Sequence, residues 1–289
     1  MKIKLNYIIV LLLFMVSTIQ AQQLTVASYN LRYSIKKNYL NDSVTGVDWK
    51  RRGPVIASMV RFHEFDIFGT QEGFLHQLED LLQWLPGYKF VGVGRDDGKK
   101  EGEHTAVFYK TDRFKVLDHG DFWLSETPDT PSMGWDGTCC HRMCTWVLFE
   151  DIESGKKFHF FNTHFDHQAV IARKESSKLI LQKIEEIAGD KPVILMGDLN
   201  GSHESEWYSS LADSEMLLDT YLQVEDPYAN NGSFNGFGKR TSSKSIIDHV
   251  FVTRHFKTEK WGILTDTYHG KFPSDHFPVM VKLKLASAE

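Results

Sequence analysis

The chain has 289 residues, 42% of them hydrophobic and 25% charged, and a formal net charge of -5. That composition supplies a sizeable core and excludes disordered and fibrous classes. An acidic balance also argues against a protein that grips long nucleic acid by general electrostatics.

In chain order, residues 1–21 read as a secretory signal peptide. Lys2 and Lys4 precede the apolar run "YIIVLLLFMV", and Ile19 and Ala21 occupy the -3 and -1 positions of a cleavage site before Gln22. The run is short for a permanent membrane span, the alternative being an uncleaved anchor. Its removal takes two lysines with it and leaves a net charge of -7. The expected location is therefore exported, periplasmic or secreted, with no transmembrane anchor after processing. Residues 22–289 show no internal repeat or low-complexity linker and are expected to form one domain.

Within that domain strand-like and helix-like segments alternate. "LTVASYNL" (24–31) reads as a strand, 49–65 as a helix, "DIFGTQE" (66–72) as a strand and 74–85 as a helix. Strands are expected at 88–94, 104–110, 145–151 and 157–165. A long helix over 168–188 stops at Gly189 with Pro192 just beyond. "VILMGDLN", a helix near 204–212, and strands at 245–253, 261–267 and 277–285 complete the series. The pattern predicts layered α/β architecture, with sheets covered by helices.

Three cysteines cluster in "CCHRMC". An odd number precludes a fully paired framework. On an extended strand Cys140 and Cys144 would stand roughly 13 Å apart, too far for a disulfide. Buried or partly buried thiols are the simplest expectation. Basic pairs such as Arg51-Arg52, Lys99-Lys100 and Lys239-Arg240 read as solvated surface, with a cleft lining as the alternative.

One pattern recurs along the chain: an apolar strand meets a polar cluster. "SYN" carries Asn30, "TQE" carries Gln71 and Glu72, and "NTHFDH" carries Asn162, His164, Asp166 and His167. "GDLN" holds Asp198 and Asn200, "IDH" holds Asp248 and His249, and "SDH" holds Asp275 and His276. Each alone has a plain structural explanation, since Gly, Asp and Asn suit turns and Glu72 suits a helix N-terminus. Six together point to a site built at strand ends. Carboxylates suit a hard cation such as Mg²⁺, histidines suit phosphoryl contact and proton transfer, and asparagines suit water or phosphate positioning. Phosphate-ester hydrolysis needs this combination.

In order, "SYNLR", "GTQE", "GEHTAVFY", "NTHFDH", "GDLN", "IDHVFV" and "SDHFPV" resemble the endonuclease/exonuclease/phosphatase superfamily, over about residues 24–284. The resemblance implies the DNase I-like fold, a four-layered α/β sandwich of two packed mixed sheets flanked by helices. It implies Mg²⁺, with Mn²⁺ as a substitute, held by Glu72 and Asp275 with Asn30 beside the metal and phosphate. It also implies Asp198 as the group that orients or deprotonates the attacking water, with Asn200 holding water or phosphate. His276, oriented by Asp248, and His164 would face the phosphoryl group, with His104 as a further phosphate contact. Read as residues, Arg142 is placed either to meet phosphate or to form a surface ion pair, since Arg suits both roles, and Glu103 to orient His164. Where this chain has His104, the family often has tyrosine. The expected activity is phosphodiester hydrolysis by in-line attack of water. Phosphomonoesterase and lipid-headgroup or small-molecule phosphodiesterase are alternatives, so nucleic acid, nucleotide, lipid and small-molecule phosphates all remain open as substrates. No stable protein partner is implied. A silent phosphate-binding module of the same fold would be expected to break "QE", "GDxN" or "SDH", and all three are intact.

Overall fold

Alternating apolar and small residues make Gln23–Asn30 the first strand, β1, a central member of its sheet. The computed structural model describes residues 23–228 and 231–286, so the expected signal peptide lies outside the described residues. After β1 come α1 (Tyr39–Thr45), α2 (Trp49–Phe62), β2 (Ile67–Gln71), β3 (Gly73–Phe74), α3 (Leu75–Trp84), β4 (Tyr88–Val91), β5 (Glu103–His104) and β6 (Val107–Lys110). The chain continues through β7 (Phe114–Trp123), β8 (Met143–Asp151), β9 (Lys157–His164), α4 (Val170–Ala188), β10 (Val193–Asp198) and α5 (Glu206–Ala212). It ends with β11 (Leu218–Asp219), β12 (Asp248–Val252), β13 (Phe256–Ile263) and β14 (Val279–Leu285).

Two six-stranded sheets form, in the orders β13-β14-β1-β2-β6-β4 and β11-β12-β10-β9-β8-β7. Each has one parallel pair at its centre, β1 with β2 and β9 with β10, and antiparallel pairing elsewhere. The facing sides of the sheets interlock Val26, Ile67, Phe149, Phe160, Met196, Val250 and Val281, all fully buried. Each such side chain stabilises the fold by about 1.5–3 kcal/mol relative to exposure. α2 and α3 cover the outer face of the first sheet, and α4 and α5 cover the second. The result is the expected four-layered α/β sandwich. Among the described residues no helix is long and apolar enough to cross a membrane.

Several elements differ from expectation. β7 went unforeseen because it is an edge strand: its middle, "LDHGD", is polar and half exposed, and a register shift falls between Val116 and Asp118. The expected strand 104–110 is split, since β5 leaves the sheet to pair with β3 and places His104 opposite Gly73. The strand expected at 261–267 begins earlier and ends at Ile263. Cys139 and Cys140 form a disulfide between sequence neighbours, where unpaired thiols were expected; only Cys144 is free, buried in β8. Arg52 is buried inside α2, donating to the carbonyls of Leu31, Arg32 and Pro273. Arg51 alone of that pair behaves as surface, paired with Asp48.

Candidate functional site

Register explains why distant motifs converge. In the second sheet Asp198 stands opposite His164 on β9 and opposite Asp248 on β12. In the first sheet Asn30 stands opposite Gln71, one residue before Glu72. The ends of β1 and β10 therefore meet at one edge of the sandwich, and the two sheets contribute to one cleft. Beneath it Gln71 and Asn162 are a structural bridge. Gln71 Nε2 donates to Asn162 Oδ1 (2.7 Å), and Asn162 Nδ2 donates to the carbonyls of Thr70 and Ala106.

Asp198 is the hub. Its Oδ1 accepts the Asn200 backbone N–H (2.9 Å), and its Oδ2 accepts Asn30 Nδ2 (3.1 Å). The same Oδ2 lies 3.6 Å from His164 Nε2 and 3.7 Å from His276 Nε2. Gly197 makes this possible: at φ 151° its α-carbon packs so closely on β9 that a Cβ would collide with the Thr163 carbonyl. The backbone is not extended beyond Asp198, because Asn200 takes φ 46° and its carboxamide donates to the Phe165 carbonyl. Asn200 thus clamps Asp198 from behind through its backbone.

His276 is held by Asp248, whose Oδ2 lies 2.9 Å from Nδ1, leaving Nε2 toward Asp198. Burial opposes a charge on His276, but Asp248, Asp198 and Asp275 outweigh it and raise its pKa to about 10. Burial, reinforced by Asp248, pushes the Asp198 carboxyl up to about 7. His164 has the opposite setting: burial and then the neighbouring Arg142 guanidinium keep it well below the usual histidine range. The site thus pairs a cationic imidazole with a neutral one across a carboxylate. His249, by strand alternation, points away and bonds the Gly201 carbonyl through Nε2.

Arg142 is buried, with Nη1 3.1 Å from the His164 ring nitrogens and Nη2 2.9 Å from His167 Nδ1. Glu103 does not orient His164; it forms a bidentate pair with Arg95 at 2.7 and 3.0 Å. His104 is buried beside the backbone of Gly102 and Gly73, with Nδ1 unpartnered, in a small cavity that also touches Arg142 and His164. His104 therefore lies beside Arg142 and His164.

Glu72 reaches the cleft from a left-handed backbone, φ 62°, and accepts Asn30 Nδ2 (3.2 Å) and Tyr33 N–H (3.2 Å). Arg32, not singled out from the sequence although it sits in "SYNLR", lies between the acids, 3.6 Å from Glu72 and 3.6 Å from Asp275. Asp275 is raised by burial and further by Glu72. Two mutually repelling carboxylates, sharing one guanidinium at longer than hydrogen-bond distance, present hard oxygen donors of the kind a divalent metal takes. Asn30 turns its amide NH₂ toward Glu72 and Asp198, while its oxygen accepts Arg32 N–H (3.0 Å).

The sequence profile described as the Endonuclease/Exonuclease/phosphatase family matches residues 27–276. The chain belongs to this family. An endonuclease/exonuclease/phosphatase family protein of Bacteroides thetaiotaomicron is 47% identical, with a TM-score of 0.88 over 93% of this chain and 100% of that one. A mannosyl-6-phosphatase of the same species is 48% identical, with a TM-score of 0.86 over 90% of this chain and 99% of that one. The uncharacterized protein L388 of Acanthamoeba polyphaga mimivirus is 27% identical over 81% of this chain and 91% of its own length. As a member of the endonuclease/exonuclease/phosphatase family the protein is a phosphoester hydrolase, and the family generally depends on divalent metal.

Proposed function

We propose that the protein is an exported, Mg²⁺-dependent phosphatase that hydrolyses a phosphomonoester of a small polyhydroxylated molecule, such as a sugar phosphate. The carrying observation is the 48% identity to a mannosyl-6-phosphatase across 90% of the chain. The acidic balance of the chain agrees, since it disfavours a polyanionic polymer. This reading replaces the phosphodiester preference drawn from the motifs alone.

In the proposed reaction a water attacks phosphorus in line with the ester oxygen. Asp198 accepts the water's proton while the new P–O bond forms and the ester P–O bond breaks. The leaving alkoxide takes a proton from solvent, giving inorganic phosphate and the free alcohol. Cationic His276, fixed by Asp248, and Arg142 with His164 stabilise the non-bridging phosphoryl oxygens. Asn200 and Asn30 hold Asp198 in place. Mg²⁺ held by Glu72 and Asp275 would neutralise charge developing on the leaving oxygen.

A panel of mannose 6-phosphate, p-nitrophenyl phosphate, bis-p-nitrophenyl phosphate, single-stranded DNA, RNA and sphingomyelin, with and without Mg²⁺, tests this. Monoester turnover should exceed diester turnover; preferential cleavage of a diester would overturn it.

A further inference from the structure

A cavity of about 450 Å³ opens beside the acidic end of the site. Arg32 belongs to both, since it lines the cavity and lies 3.6 Å from Glu72 and from Asp275. Most of the other lining groups come from three segments outside the sandwich core. α1 supplies Asn41 and Asp42, the loop after Asn235 supplies Phe237 and Lys239, and the turn before the "SDH" motif supplies Lys271 and Phe272. These walls are tied together. Lys271 Nζ donates to the Thr45 carbonyl, and Tyr268 Oη donates to the Gly46 carbonyl at 3.0 Å. Arg52 also lines the cavity; it is 1% exposed and its Nε has no hydrogen-bond partner among the described residues.

We propose that this cavity is the leaving-group subsite and that it takes a hydroxyl-rich ring such as a hexose. The inference rests on the phosphatase reading above and assigns the alcohol part of that substrate a place in the fold. Position is the first argument. In an in-line displacement the attacking and leaving oxygens stand on opposite sides of phosphorus. Asn30 Nδ2 lies between Asp198, at 3.1 Å, and Glu72, at 3.2 Å, so the water-handling carboxylate and the metal-binding carboxylate flank it. A phosphoryl group attacked from the Asp198 side expels its alcohol toward Glu72 and Asp275, and Arg32 beside both acids lines the cavity.

Chemistry is the second argument. Sugar hydroxyls both donate and accept, and the lining offers donors in Arg32, Asn41, Lys239 and Lys271 and an acceptor in Asp42. Phe237 and Phe272 add ring faces for the apolar side of a pyranose. A lipid tail would leave these charges unpaired at high cost.

Asn41 and Lys239 are exposed, so Asn41→Ala and Lys239→Ala leave the core intact. The test compares kcat/KM for mannose 6-phosphate with kcat/KM for p-nitrophenyl phosphate in wild type, each variant and the double variant, with thermal melting as the folding control. Loss of one hydrogen bond to the sugar should lower the ratio of the two constants by about fivefold to tenfold per substitution, chiefly through the KM for the sugar phosphate. A ratio unaltered in the double variant, with both substrates still turned over by wild type, overturns the subsite and spares the phosphatase reading. A wild type inert toward every phosphomonoester overturns both.

Discussion

His276 Nδ1 lies 2.9 Å from Asp248 Oδ2, which fixes the imidazole with Nε2 toward Asp198 and sustains its positive charge. Asp248 itself is fully buried, so it acts through its neighbours, holding His276 and raising the Asp198 carboxyl. Asp248→Asn keeps the shape and removes the charge. We expect kcat to fall by about 10²–10⁴ with little change in KM, and the alkaline limb of the pH–rate profile to move to lower pH. A variant with wild-type kcat and profile would show the pair to be only structural.

Asp198→Ala removes the group to which Asn30, Asn200, His164 and His276 all turn. Turnover should drop by about two to four orders of magnitude, while the far-UV spectrum stays native. Full activity in a folded Asp198→Ala protein would exclude Asp198 as the base.

Stability should depend on pH through the same residue. Burial raises the Asp198 carboxyl from 3.8 to about 7, so the folded state favours its protonated form. Its contribution to stability is then fully present below pH 3.8 and is lost as pH rises through about 7. In EDTA, melting temperatures taken between pH 4 and 7 should fall more steeply for wild type than for Asp198→Asn. Parallel profiles would contradict the buried, raised carboxyl.

Gly197→Ala combines a disfavoured backbone conformation with a collision at the Thr163 carbonyl. The cost should be about 2–4 kcal/mol, backbone strain and overpacking together, read from urea denaturation. Activity should fall too, because relief of the collision must separate β9 from β10 and His164 from Asp198. A variant as stable as wild type would mean that the strands part freely.

Chelation supplies a last check. EDTA should abolish hydrolysis, and Mg²⁺ or Mn²⁺ should restore it. Glu72→Gln should raise the Mg²⁺ concentration needed for half-maximal activity at least about tenfold, in line with loss of a charged ligand from a site with few carboxylates. EDTA-resistant turnover would remove the metal from the mechanism.

The sequence by itself determined the layered α/β class, the positions of most central strands and helices, and the polar groups at strand ends. Buried strands such as Val193–Asp198 announce themselves because both faces must be apolar until the chain leaves the core. What it could not determine was which polar residues share a cleft. Gln71 and Asn162 look as functional as Glu72 and His164 in the chain, yet they bond one another between the sheets, because facing direction alternates along each strand and changes with a single residue of register. Arg52 and Arg51 are equivalent as letters, and only the packing of α2 buries one and exposes the other. The tertiary structure likewise decided that Asn200 would turn back to clamp Asp198, that Glu103 would belong to Arg95, and that Arg32 would join the acidic pair to an open cavity. Those outcomes depend on contacts between segments far apart in the chain, whose geometry is set by sheet pairing and not by local composition.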